Sequence, residues 1–281
     1  MVTGTEQITA SRTGQGRIQS RVDQSVGWIV IDNPAKRNAL SSQMCLALIE
    51  AIELLSNDQA VKVIALTGAG TDFSAGVDIS ELPEVLFDQE APEGPQDHLS
   101  AVDMALSSVS KPTFALVAGI CMGGAWQLAS ACDVLLACTN TRLAITPAKL
   151  GIIYPQRGVE RLLQRVGLDR AKYLLFSGNE IPAALAERWG LFTELIPEDS
   201  FQQRATELLQ TVARRSQFTI HTMKALIDPA ASTGVPAADA ARLQAAWQAA
   251  WLDSVDGEDF KIGRRAFLAG EVPEFRWQPA V

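Results

Sequence analysis

Positive charge is in short supply. Across 281 residues, 24 Lys and Arg face 32 Asp and Glu, a formal charge of −8, which works against broad attraction to phosphate backbones or anionic lipid. A nucleic-acid role would need a local basic stripe, and none is present. Histidine is scarcer still, with His98 and His221 the only two. No tight Asp/His spacing organises the acids around them, so no metal site is expected. The four cysteines, Cys45, Cys121, Cys132 and Cys138, include no C-x-x-C pair. Met1 to Ser20 is polar, with Arg12 and Arg17 and without the apolar centre of a secretory leader. Reduced thiols and a cytoplasmic setting are therefore expected. Pro112 to Cys132 runs 21 residues without a charge, but Gly119, Gly123, Gly124, Gln127 and Ser130 interrupt it. It reads as a buried strand, glycine turn and helix rather than a membrane span.

Several motifs are also missing. After the strand that precedes Gly68-x-Gly70, the third glycine of a dinucleotide fingerprint would fall at Phe73. No Gly-Lys-Ser/Thr phosphate loop exists, and no G-x-S-x-G elbow supports a serine hydrolase.

What is present is a chain 47% hydrophobic, ample for a sizeable core. Residues 1–16 lack periodicity and read as a loose arm. Arg17–Val22 and Gly27–Ile31 read as a hairpin across Asp23–Ser25. Ser41 or Ser42 can cap a helix running to about Asn57, with Met44, Leu48, Ile52 and Leu55 at helical spacing. A buried strand is expected at Val61–Leu66. Between Val63 and Ser110 there is no Lys or Arg while nine acids accumulate. Glu81–Pro95, with three prolines and a glycine, reads as a mobile acidic surface loop that contributes to the substrate pocket. A helix near Leu99–Ser108 and the strands Thr113–Val117, Val134–Cys138 and Leu143–Ile145 follow. From about Pro155 the periodicity is helical: 158–176, 182–189, 199–214, 217–227, 237–252 and 256–269. The expected organisation is the arm, an α/β core over 17–200 and a helical region over 201–281.

Two junctions carry the chemistry. Phe73-Ser-Ala-Gly-Val-Asp78 and Ala118-Gly-Ile-Cys-Met-Gly-Gly-Ala125 each place backbone N–H groups at a turn entering a helix, where a negative oxygen is favoured. Side by side they would form an oxyanion hole, but periodicity alone does not say that they meet.

With these junctions, Asn33-Pro-Ala-Lys-Arg-Asn-Ala-Leu40, Asp256-Gly-Glu, Ala266-Phe267 and Pro273-x-Phe275, the chain resembles the crotonase superfamily, also called enoyl-CoA hydratase/isomerase, from about Arg17 to Phe275. The resemblance implies an α/β crotonase (ClpP-like) fold, repeated ββα units in a spiral with a helical C-terminal trimerisation region, assembled as a homotrimer or hexamer. It implies an acyl-CoA substrate, with coenzyme A as part of the substrate and no separate cofactor. Transferred by motif, the amides of Val77 and Gly124 would bind the thioester oxygen. Lys36, Arg37, Ala39, Ala75, Asp78 and Ile79 would line the coenzyme A path, the first two as local cations in an acidic protein.

The chain also departs from the family. Hydratases of the superfamily use two glutamates, and the corresponding positions here are Gln127 and Pro147. Neither can exchange a proton near neutral pH. An oxyanion hole without either carboxylate points to enolate chemistry that needs little proton abstraction, such as decarboxylation of a malonyl-type thioester or another carbon–carbon cleavage. Thr146-Pro-Ala-Lys-Leu-Gly-Ile-Ile-Tyr154 and Phe73-Ser-Ala-Gly-x-Asp-Ile-x-Glu-Leu-Pro83 are similar to stretches of bacterial methylmalonyl-CoA decarboxylase, which has a histidine in place of Val77 and a glutamate in place of Gln127. Tyr154 would then orient the substrate carboxylate or act as an acid, and Gln127 would donate a hydrogen bond. Gly270 stands where family members commonly carry a lysine near the coenzyme A phosphates, which leaves a carrier-protein thioester or a CoA-free diketone open. Hydration through an atypical base and a non-catalytic subunit are the competing readings. A subunit that is only structural should not be stabilised by a CoA ester.

Overall fold

The computed structural model describes residues 6–7, 16–89, 96–230 and 237–279. The expected hairpin forms from β2 (Arg17–Asp23) and β3 (Val26–Asp32), closing on Gln24 and Ser25 at φ 47° and 66°. Two left-handed residues give the turn a twist that matches the antiparallel strands. Ahead of them β1 (Glu6–Gln7) pairs antiparallel with Ser20 and Arg21. Part of the expected loose arm is thus an edge strand, and residues 1–5 and 8–15 lie outside the described residues.

From β3 onward the chain repeats one pattern: a strand in a long sheet, a short extended piece in a second layer, then helix. The first turn leads from β3 through Leu40 into α1 (Ser42–Asn57), where Ser41 Oγ accepts from the Met44 N–H. The second runs β4 (Val63–Gly68), Ser74 to Val77, α2 (Leu82–Leu86) and α3 (His98–Ser108). The third is β5 (Thr113–Val117), β6 (Ile120–Met122) and α4 (Gly124–Ser130). The fourth is β7 (Val134–Cys138), β8 (Arg142–Ala144), α5 (Pro147–Leu150), α6 (Gln156–Val166) and α7 (Leu168–Ser177). After it come β9 (Ile181–Pro182), α8 (Ala183–Arg188) and β10 (Glu194–Ile196), then α9 (Phe201–Ala213), α10 (Gln217–Ala230), α11 (Ala237–Asp256) and α12 (Glu258–Ala269). The 21 uncharged residues resolve into β5, β6 and α4. Among the described residues no helix is long and apolar enough to cross a membrane.

The long sheet has the order β1-β2-β3-β4-β5-β7-β10, parallel from β3 to β10. The second layer is a ladder of short pairings: Leu40 with Val77, Ser74 with Cys121, β6 with β8 and β8 with β9. Alternation along β4 divides the core. Ile64 and Leu66 join the cluster under α1, α3 and α4, whereas Val63 and Ala65 join the cluster covered by Phe201, Ala205 and Leu209 of α9. A parallel sheet buried on both faces follows from that pattern. Because α9 supplies this second cover, it packs as part of the same body as the sheet.

Four expectations change. Leu82–Leu86 is helical rather than loop, because Pro83 occupies the first turn, where its missing N–H is tolerated; residues 90–95 of the expected loop lie outside the described residues. The segment expected to be only a glycine turn contains β6. The helix expected over 158–176 is two helices, parted at Gly167 with φ +77°. β10 extends the sheet within a region that reads as helical.

Candidate active site

Both glycine junctions leave the C-terminal ends of neighbouring parallel strands, β4 and β5. The first is held by Asn38, whose Nδ2 donates to the carbonyls of Ala69 and Asp72 at 2.9 and 2.7 Å while its Oδ1 accepts from the Asn33 N–H. Ser74 Oγ donates to the Asn38 carbonyl at 2.6 Å and accepts from the Gly76 N–H. Asp72 ties the two junctions together by accepting from the Ile120 N–H at 2.9 Å.

The ladder then fixes which amides are left over. Leu40 donates to the Gly76 carbonyl at 2.8 Å and accepts from the Asp78 N–H at 2.9 Å. In a parallel bridge this leaves the intervening Val77 N–H directed to the other side. Gly123 donates to the Ala144 carbonyl at 2.8 Å, and Gly124 is the first residue of α4, where helical N–H groups lack internal acceptors. The N–H groups of Val77 and Gly124 meet no protein acceptor among the described residues. The two junctions do meet. A Cβ at Gly76 would overlap the Met122 carbonyl and sit 3.1 Å from the Gly124 nitrogen, and one at Gly124 would sit 3.2 Å from Val77 Cγ2. Gly76 also has φ +88°, a conformation costly for any residue with a side chain.

Val77, Gly124 and Ala75 open on a cleft of about 60 Å³. Leu82, Leu86, Leu99, Leu150 and Ile152 give it apolar walls, and Thr146 and Tyr154 supply its side-chain hydroxyls. Among the described residues that line it there is no carboxylate, imidazole, thiol or amine. Burial pushes the Tyr154 phenol well above its usual value of 10, so the one titratable group in the wall stays protonated. Its Oη donates to the Gly123 carbonyl at 2.9 Å.

Other expected site residues are placed differently. Gln127 does not line the cleft. It is fully buried on α4, and neither Nε2 nor Oε1 has a hydrogen-bond partner among the described residues. Every residue of α4 from Ala125 to Ser130 is buried, so the Gln127 side chain is enclosed on the helix and not in the cleft wall. Lys36 is not a free cation either, because its ammonium pairs with Asp78. That hydrogen bond raises the Lys36 pKa. Burial pushes the Asp78 carboxyl up, but bonds from Lys36 and Ser80 outweigh it and hold it below the usual carboxylate range. Asp78 also caps the helical turn at Ile79–Glu81, leaving Ile79 exposed on the cleft rim. Ala39 is buried, with its carbonyl accepting from Asn33 Nδ2. The Arg37 carbonyl accepts from the Ala75 N–H at 2.9 Å, while its guanidinium is exposed and makes no ion pair among the described residues. His98 pairs with Asp88 at 2.9 Å and does not enter the cleft.

Sequence reading missed Asn38, Asp72 and Ser74, whose polar residue types at turn positions were the available signal. It also missed the buried pair of Asp103 on α3 with Arg161 on α6. Arg161 Nε donates to Ser130 Oγ at 3.1 Å, fastening the far end of α4. A larger cavity of about 300 Å³ lies away from both junctions, between the end of α1, Lys111 and Trp277. There Lys111 Nζ donates to the Leu55 and Asp58 carbonyls at 2.9 and 2.6 Å.

The arrangement offers two convergent peptide donors at the mouth of an apolar cleft, suited to a carbonyl oxygen that gains negative charge. The family model for enoyl-CoA hydratase/isomerase matches residues 21–278. A putative enoyl-CoA hydratase of Thermus thermophilus is 32% identical over 89% of this chain and 97% of its own length. The 2,3-dehydroadipyl-CoA hydratase of Escherichia coli is 28% identical over 90% and 96%. Among solved structures, an enoyl-CoA hydratase/isomerase family member is 42% identical with a TM-score of 0.88, covering 96% of this chain and 100% of that one. A putative family protein from Hyphomonas neptunium is 29% identical with a TM-score of 0.78, covering 93% and 98%. The chain belongs to the enoyl-CoA hydratase/isomerase family, and its fold is the crotonase fold.

Proposed function

We propose that this protein is an acyl-CoA lyase that stabilises a thioester enolate, acting by decarboxylation of a malonyl-type thioester or a related carbon–carbon cleavage. The observation that carries the reading is a pair of unsatisfied peptide N–H groups in a cleft whose described lining holds no carboxylate. In decarboxylation the bond from the α-carbon to the carboxylate breaks and its electron pair moves into the thioester, building charge on the oxygen held by Val77 and Gly124. Carbon dioxide leaves and a proton from solvent returns to the α-carbon. No base is required. The apolar walls favour loss of the substrate's charged carboxylate, because the anion is poorly solvated there. Coenzyme A arrives as part of the substrate, and the reaction as drawn uses no resident cofactor. Its phosphates would meet Arg37, and Lys36 once it exchanges Asp78 for the ligand. Exposed apolar residues on α11 and α12 suit the expected homotrimer or hexamer, and four buried unpaired thiols suit a reducing cytoplasm.

The second reading is hydration of an enoyl-CoA, favoured by the names of the relatives. It needs a general base near the β-carbon, which the described cleft does not supply. Mass spectrometry after incubation with methylmalonyl-CoA and with crotonyl-CoA separates the two. Loss of CO₂ from the first is expected, and gain of water by the second without any loss of CO₂ would overturn the lyase reading.

A further inference from the structure

The peptide that supplies the second donor is gripped from behind. The carbonyl of Gly123 and the N–H of Gly124 are opposite ends of one planar amide. Tyr154 Oη donates to that carbonyl at 2.9 Å and the Trp126 N–H donates to it at 3.1 Å. We propose that Tyr154 is a positioning residue that acts through the Gly123–Gly124 peptide, holding its plane and polarising it so that the Gly124 N–H becomes a stronger donor to the thioester oxygen. The proposal rests on the oxyanion reading above and is independent of which reaction follows enolate formation.

Three features support it. Gly123 sits at φ 51°, ψ −113°, a conformation outside the regions open to residues with a side chain. Nothing intrinsic to glycine fixes the orientation of this peptide, which the Trp126 N–H holds from within α4 and Tyr154 from outside it. The tyrosine ring is itself immobilised: it is 8% exposed, and its edge rests on Gly158 of α6, where a Cβ would overlap the ring. The hydroxyl is kept in its donating form by burial, so the bond persists throughout the physiological pH range. A hydrogen bond accepted at one end of an amide strengthens the bond donated at the other, by an order of 10–30% per link. That is weaker than deleting a donor outright, which costs about 10²–10³ in rate. Loss of the link is therefore expected to lower kcat about three- to tenfold, with a smaller change in KM.

The test reads the polarisation directly. Butyryl-CoA, which has no carboxylate to lose and no double bond to hydrate, is labelled with ¹³C at the thioester carbonyl, and its infrared difference spectrum is recorded on the protein. In the wild-type protein the carbonyl band should fall below its solution frequency. In Tyr154→Phe it should move part of the way back, whereas replacement of Tyr154 by 3,5-difluorotyrosine, a stronger donor of almost the same shape, should lower it further. A purely structural role would change the melting temperature of the variants and leave the bound band at the wild-type frequency, and that result overturns the proposal. Should Tyr154→Phe fail to fold, the difluorotyrosine protein decides alone through the sign of its shift. Absence of any band displacement in wild-type protein that binds butyryl-CoA, or absence of thermal stabilisation by it, overturns the oxyanion reading and the relay with it. A displaced band with no loss of CO₂ from methylmalonyl-CoA overturns only the lyase reading.

Discussion

Gly76 lies against the Met122 carbonyl and the Gly124 nitrogen, and Gly124 lies against Leu99 and Val77, so a methyl group on either presses on the facing segment. Gly76→Ala combines a left-handed backbone with an overlap on the Met122 carbonyl, and a destabilisation of about 1–3 kcal/mol is expected from strain of this kind. Chemical denaturation measures it, and turnover should fall by more than stability alone accounts for, because the junctions are pushed apart. Gln127 gives the opposite expectation. An amide buried with both polar atoms unpartnered costs about 1–3 kcal/mol, so Gln127→Leu should be neutral or stabilising and keep turnover within about threefold. A tenfold loss of kcat in a folded Gln127→Leu protein would show that the amide reaches the reacting atoms. The two glycine junctions were legible in the sequence because glycine spacing and helix starts are local signals, whereas the choice of Val77 and Gly124 within them came from the family resemblance. The bond from Tyr154 to Gly123 spans 31 residues, and no local rule couples the two: a tyrosine can be expected to settle its hydroxyl on backbone, but not on which carbonyl. For Gln127 the family position identifies a residue but does not say what room its neighbours leave for its amide.

Three helices are pinned by one ion pair. Asp103 of α3 is fully buried and Arg161 of α6 reaches it while donating to Ser130 at the end of α4. Arg161→Met leaves a buried carboxylate without its partner, and a loss of about 3–5 kcal/mol is expected by thermal or urea unfolding. Lys111, which ties the end of α1 to the start of β5, makes a pH-dependent contribution. Burial depresses its pKa from 10.5 to about 8. Between those values the unfolded chain binds the extra proton, so stability from this group rises with pH over roughly 8 to 10.5, and the full cost of the buried charge is present below 8. The melting temperature of the wild-type protein minus that of Lys111→Met should accordingly grow between pH 8 and 10. A flat difference would mean that the amine is not held in its neutral form. At this scale the sequence was readable where elements are long or wholly buried. β5 and β7 fall where their apolar runs place them, and α1 starts at its serine cap. Two- and three-residue strands such as β6, β9 and β10 carry too little pattern to be seen, because their pairing is imposed by neighbouring strands, in the ladder for β6 and β9 and on β7 of the long sheet for β10. α2 was hidden by Pro83, which reads as a breaker until its place in the first turn is known.

On the whole molecule, Trp251, Phe267, Leu268 and Val272 of the C-terminal region are each more than two-thirds exposed, an arrangement that would promote association of an isolated chain. The proposed homotrimer or hexamer would cover them. Trp251→Glu with Phe267→Glu should shift the light-scattering mass toward that of one chain, while an unchanged mass would place the interface elsewhere. The ladder that links residues 40, 77, 74, 121, 143 and 181 also orders events during synthesis. The Val77 junction pairs with Leu40 but is also held by Ala118 and Ile120, the Gly124 N–H needs the Ala144 carbonyl behind Gly123, and the cleft wall needs Tyr154. Neither donor is therefore fully held until residues far along the chain have been added. Contacts so distant in sequence form slowly, so the carbonyl site is completed late, and a thioester cannot help the early turns to fold.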